Sequence, residues 1–75
     1  MSGERNRKRE FGIRLRELRL ASGMSQQALT EAAGLDKNYV TEAERGHANP
    51  TLETIGRLAD ALGVDDSALV SDGPD

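Results

Sequence analysis

Apolar residues recur along this chain with a helical period, and no segment alternates in the two-residue rhythm of a strand. Phe11, Leu15 and Leu18 fall at i, i+4 and i+7, which predicts a first helix from Lys8 or Glu10 to Ser22, stopped by Gly23. Ser25 is placed to cap a second helix, Gln26 to Ala33, with Ala28, Leu29, Ala32 and Ala33 facing inward and Gly34 ending it. Asp36 is the next capping residue and predicts a third helix from Lys37 to Arg45, with Val40 and Ala43 inside and Gly46 as its stop. Asn49-Pro50 marks a loop. Thr51 then caps a fourth helix whose stripe is Leu52, Ile55, Leu58, Ala59 and Leu62, closed by Gly63. Asp65 caps a last short helix that carries Leu69 and Val70. The expected fold class is all-α, a compact bundle of five helices. The core domain spans residues 10–70, after a basic arm or helix extension at residues 1–9 and before a polar tail at residues 71–75.

Only Gly34 and Leu35 separate the second predicted helix from the cap of the third. A turn that short, opened by a glycine, makes two helices cross steeply and leaves the later one projecting.

At 75 residues the chain holds one domain with a marginal core. Domains of this size often rely on disulfides, a metal or a partner subunit. The chain has no cysteine and one histidine, so disulfides and an ordinary zinc cage are excluded and self-association remains. Val64, Leu69 and Val70 lie on or beside the last predicted helix, where little of the chain is left to cover them, so they are the expected dimer interface.

The net charge of −3 hides a strong polarity. Residues 1–20 carry seven cationic side chains against three acidic ones, a balance of +4. Residues 46–75 carry Arg57 against six acidic side chains, a balance of −5. No apolar run approaches a membrane span, and Met1 to Glu10 is too polar for a secretory signal, so the expected compartment is the cytoplasm.

From Phe11 to Val70 the sequence resembles the phage-repressor (Cro/Xre-like) class of helix-turn-helix domains. The likeness is carried by LRELR at 15–19, GMSQQAL at 23–29, AGLDKNYV at 33–40, ERG at 44–46, NPTLETI at 49–55 and LADALGV at 58–64, in that order. The GLDKNYV…ERG stretch is also similar to the controller proteins of restriction–modification systems. The resemblance implies a bundle of the phage-repressor type that binds double-stranded DNA and regulates transcription as a homodimer on an inverted repeat. It implies a buried ion pair between Arg19 and Glu44, base contacts from Lys37, Asn38 and Thr41, and phosphate contacts from Gln26, Tyr39 and Asn49. Four positions depart from the pattern: Thr30 stands where alanine is usual, Ala43 where a larger aliphatic is usual, Ala48 where controller proteins often carry arginine, and Glu42 puts a negative charge on or beside the reading face.

The residue chemistry is consistent with those roles. A lysine can donate to guanine O6 and N7, and an asparagine can pair bidentately with adenine. Gln26 opens a helix, where unpaired N–H groups favour an anion. Glu42 is placed to accept from cytosine N4, to repel wrong sites, or to face water. The run Arg5-Asn6-Arg7-Lys8-Arg9 is either a solvated helix end or an arm along the DNA backbone. His47, in a loop after Gly46, reads as solvated.

No catalytic role and no cofactor are expected: there is no glycine-rich phosphate loop, no metal-ligand cluster, and His47 is the one histidine base. Within the DNA-binding class, a controller protein and the antitoxin of a toxin–antitoxin pair stay open, with RNA polymerase or a toxin as a further partner. Outside it, the alternative is a protein-interaction module that has lost DNA binding. Repressor and activator are equally compatible with the sequence.

Overall fold

The computed structural model describes residues 3–70, and the expected polar tail at residues 71–75 and the first two residues of the expected arm lie outside them. Four α-helices and one 3₁₀ turn follow one another, with no strand among the described residues. Helix α1 spans Gly3–Ser22, α2 Gln26–Ala32, α3 Tyr39–Glu44 and α4 Leu52–Leu62, and the 3₁₀ turn covers Asp66–Ala68. The fifth helix of the expected bundle is therefore a single tight turn.

Helix α1 begins well before its first apolar residue. Arg, Lys and Glu are good helix formers, so the charged stretch before Phe11 extends the helix without any buried stripe to announce it. The arm and the helix are continuous over the described residues.

The Ser25 hydroxyl caps α2 by accepting from the Ala28 N–H at 2.9 Å. The buried side of α2 is Leu29 and Thr30, continued by Ala33, while Ala28 and Ala32, expected inside, are exposed. The buried threonine is satisfied locally, because its hydroxyl donates to the Gln26 carbonyl at 2.7 Å.

Helix α3 is shorter than expected. Asp36 does not cap it; Asn38 holds the N-cap position with φ −106° and ψ 13° and makes no side-chain cap bond. The Tyr39 N–H donates instead to the Asp36 carbonyl at 2.9 Å, so Lys37 and Asn38 lie in a turn that leads into α3. Gly34 enters this connection with φ 68°, in the left-handed region where a side chain would be strained. The guanidinium of Arg57 on α4 donates to the Gly34 carbonyl at 3.3 Å.

Thr51 caps α4 by accepting from the Thr54 N–H at 3.1 Å, and Gly63 ends it. Ile55, Leu58 and Ala59 are buried as the stripe predicts. Leu52, the first residue of the helix, is 85% exposed and falls beyond the edge of the core.

The core gathers Phe11 and Leu15 of α1, Leu29, Ala33, Val40 and Ala43, the buried face of α4, and Leu69. Leu69 has 0% exposure. Its assignment to a dimer interface is thus corrected: after the 3₁₀ turn the chain folds back and the leucine fills the protomer's own core. Val64 is half-buried against that core, and Val70, at 36% exposure, stays at the surface.

Gly12 sits inside α1, where α1 crosses α3. A Cβ built there would collide with the carbonyl oxygen of Ala43 and lie 3.2 Å from the carbonyl carbon of Glu44. The glycine lets the backbone of α1 lie against that of α3 at Ala43 and Glu44.

Candidate nucleic-acid interface

The turn at residues 33–38 and the exposed side of α3 present the side chains singled out above. Lys37 and Asn38 are adjacent and exposed at the N-terminal end of α3. They are held there from behind. Arg19 of α1 makes a two-pronged bond to Glu44 of α3, Nε to Oε2 at 2.6 Å and Nη2 to Oε1 at 3.1 Å. Its third contact donates from Nη1 to the Met24 carbonyl at 2.9 Å, which ties in the loop before α2. The two side chains are only 10% and 4% exposed.

The pair perturbs both groups. The hydrogen bond to Glu44 raises the Arg19 guanidinium against the lowering effect of burial. Burial, the largest single influence on Glu44, pushes its carboxyl up. Hydrogen bonds from Arg19 and Gln26, with the charges of Arg19 and Arg16, outweigh it and hold the carboxyl below its ordinary 4.5.

Gln26 extends this arrangement to a third helix. Its Nε2 donates to Glu44 Oε1 at 2.9 Å, and its Oε1 accepts from the Thr41 hydroxyl at 3.0 Å. Arg19, Glu44, Gln26 and Thr41 form one connected chain across α1, α3 and α2. Thr41 therefore has its hydroxyl directed at Gln26 within the protein.

Glu42 lies on α3 with its carboxylate 46% exposed, 2.8 Å from His47 Nδ1 and 3.6 Å from Arg45 Nη1. The bond from His47 is the main cause that lowers its carboxyl below 4.5. His47, expected to be simply solvated, is exposed but partnered, and its backbone N–H also donates to the Glu42 carbonyl at 3.0 Å. The i,i+3 spacing of Glu42 and Arg45 was a readable signal; nothing in the sequence announces the contact with His47.

Asn49 is exposed in the loop between α3 and α4. The Tyr39 ring packs against the core, and its hydroxyl is buried with no hydrogen-bond partner among the described residues. Burial pushes that hydroxyl up from its ordinary 10.0. In this arrangement the hydroxyl faces inward, and a phosphate contact would require the ring to turn.

The basic end of α1 lies beside the same loop. A Cβ on Gly46 would fall 3.6 Å from the Arg9 Cα, so α1 passes close to the residue that ends α3. Arg7 and Arg9 are exposed and Lys8 is half-buried. Among the described residues no group of acidic, His or Cys side chains could hold a metal ion, and no helix is long and apolar enough to cross a membrane.

Comparison with known proteins agrees with this architecture. The sequence matches the family described as helix-turn-helix domain over residues 10–70. Control protein C.BamHI of Bacillus amyloliquefaciens is 38% identical over 61 residues, covering 80% of this chain and 75% of that protein. The immunity repressor protein of Bacillus phage phi105 is 36% identical over 61 residues, 81% of this chain but 42% of its own length, so this chain spans less than half of that relative. Among solved structures, the restriction-modification controller protein C.AhdI from Aeromonas hydrophila superposes with a TM-score of 0.79 at 47% identity, covering 83% of this chain and 94% of that one. A hypothetical transcription factor from Neisseria gives a TM-score of 0.83 at 34% identity, covering 91% and 78%. With α2 and α3 joined by a glycine-opened turn and a family match that takes in all of α2 to α4, this chain belongs to the helix-turn-helix domain family.

Proposed function

We propose that this protein is a DNA-binding transcriptional regulator that works as a homodimer on an inverted-repeat operator. The observation that carries the reading is the pair Lys37 and Asn38, side by side and exposed where the turn enters α3, on a helix anchored from behind by the Arg19–Glu44 pair. Donors placed so can reach base edges in a major groove while the anchor fixes their register. Gln26 and Asn49 supply phosphate contacts, and Arg7, Lys8 and Arg9 at the basic end of α1 add charge along the backbone. Tyr39 joins the phosphate contacts when its ring turns outward. Glu42, hydrogen-bonded to His47 and 3.6 Å from the Arg45 guanidinium, discriminates against wrong sites. The proposed compartment is the cytoplasm, and no catalytic step is assigned.

The test is a gel shift on duplexes selected from a random-sequence pool, with mixed-sequence genomic DNA as competitor. Lys37→Ala and Asn38→Ala should each cost about 1–3 kcal/mol on the selected duplex and relax its sequence at one position. Gln26→Ala should weaken selected and unrelated DNA alike. Equal losses on every sequence for Lys37→Ala would move that lysine from base to phosphate.

A narrower reading, the controller protein of a restriction–modification system, is supported by the 47% identity to C.AhdI over 94% of that chain. Genes for a restriction endonuclease and methyltransferase beside this one are its test.

A further inference from the structure

Thr41 sits in the first turn of α3, in the stretch from which base contacts are expected, yet its hydroxyl is engaged inside the protein. Its partner is the side-chain oxygen of Gln26 at 3.0 Å. The orientation of that amide follows from chemistry. The Glu44 carboxylate, ionised and bound by Arg19, can only accept hydrogen bonds, so the Gln26 nitrogen must face it at 2.9 Å and the oxygen must face Thr41. The Thr41 hydroxyl is then the donor. Two of the amide's groups are committed, one to each helix-α3 partner. Among the described residues the second N–H of Gln26 has no acceptor.

From this we infer that Thr41 is a positioning residue, not a base-reading one: its hydroxyl clamps the Gln26 oxygen so that the remaining amide N–H is held toward a phosphodiester oxygen of the DNA backbone. The inference rests on the proposed phosphate contact of Gln26. A free glutamine side chain has three rotatable bonds to order before it can donate to a phosphate. In this fold Glu44 and Thr41 order them in advance. Because the clamp comes from α3 and the glutamine from α2, the phosphate contact is also coupled to the seating of α3 on α2.

The test compares Thr41→Val, Thr41→Ser, Gln26→Ala and the double variant Gln26→Ala/Thr41→Val. Binding is measured on a duplex selected from a random pool and on mixed-sequence genomic DNA. Valine keeps the β-branched shape and puts a methyl group in place of the hydroxyl. The expected result is a uniform loss for Thr41→Val of about 2- to 10-fold on both DNAs, the range of one hydrogen bond. The selected sequence should stay unchanged, Thr41→Ser should restore affinity, and Thr41→Val should add nothing once Gln26 is alanine. Side-chain amide NMR of Gln26 in the free protein reads the clamp without DNA: its NH₂ signals should shift toward those of a free glutamine in Thr41→Val and return in Thr41→Ser. Should Thr41→Val not fold, Thr41→Ala read by the same NMR signals replaces it.

A changed base preference in Thr41→Val would show that Thr41 reads a base and overturn the inference. Wild-type affinity in Thr41→Val, with a uniform loss in Gln26→Ala, would overturn it while leaving the phosphate contact of Gln26 intact. Wild-type affinity in Gln26→Ala would remove that contact itself, and the inference with it.

Discussion

Arg19 and Glu44 show how a single pair sets the stability of so small a domain. Both side chains are nearly out of solvent, and each satisfies the other through two hydrogen bonds. Removing one leaves the other as an uncompensated buried charge, so Arg19→Ala or Glu44→Ala should each destabilise by about 3–5 kcal/mol in urea unfolding. A mutant within a few tenths of a kcal/mol of wild type, judged on that same scale, would mean the pair is solvated. The pH dependence follows from the lowered Glu44 carboxyl. Folded Glu44 binds its proton less readily than the unfolded chain does, so its contribution is complete above its ordinary 4.5 and is lost as pH falls through the lowered value. Glu44→Gln should therefore flatten that part of the acid limb, measured as the urea midpoint against pH. Glu42 makes a separate prediction. Its carboxyl should titrate below 4.5 in an NMR titration, and His47→Ala should move it back up, because the bond from His47 is the main cause of the lowering.

At the scale of elements, the contact between α1 and α3 depends on what is missing from Gly12. A glycine inside a helix costs about 1 kcal/mol relative to alanine, so on helix propensity alone Gly12→Ala should stabilise. The backbone of Ala43 and Glu44 occupies the space that a methyl group would need, and backbone on the far helix cannot swing aside as a side chain can. The overpacking outweighs the propensity gain, and Gly12→Ala should be destabilised by about 1–3 kcal/mol. Since Glu44 lies at that contact, the mutant should also shift the NMR resonances of the Arg19 guanidinium. A melting temperature above that of wild type would show that the two helices separate more easily than their packing implies.

For the whole molecule, the buried Leu69 moves the question of self-association to other residues. Leu69→Asp would place a charge in the protomer core, so loss of association in that variant would reveal nothing about an interface. Leu52 and Val70 are the exposed large apolar side chains of the acidic C-terminal third. The proposed homodimer, if built there, has to present its two α3 helices about 34 Å apart to read one site. Val70→Asp and Leu52→Glu should each shift sedimentation toward monomer at protein concentrations where the wild type is dimeric. Like charges face each other in such a dimer, so rising salt should tighten it modestly while DNA binding weakens steeply. A wild type that stays monomeric at every accessible concentration would eliminate the interface.

The sequence by itself determined the helical class, the order of the elements, the caps at Ser25 and Thr51 and the stop at Gly63. Each of these depends on local chemistry: periodicity, a hydroxyl beside unpaired N–H groups, or a backbone angle that glycine adopts freely. The likeness in its motifs also named Arg19 and Glu44, which the fold brings together at 2.6 Å. Tertiary structure decided the rest. The apolar pattern put Leu52 on the stripe of the fourth helix and Leu69 at a dimer interface, whereas packing left Leu52 exposed and buried Leu69 in the protomer's own core. It turned Asp36 from a cap into a turn residue and gave Glu42 a partner in His47. Gly12 carried no signal, because a glycine that breaks no helix is silent until a second backbone lies against it. Thr41 and Gln26, fifteen positions apart, share a hydrogen bond because α2 and α3 fold onto each other. No periodicity encodes such a contact: local energies choose the elements, while the close approach of side chains distant in the chain depends on how those elements pack.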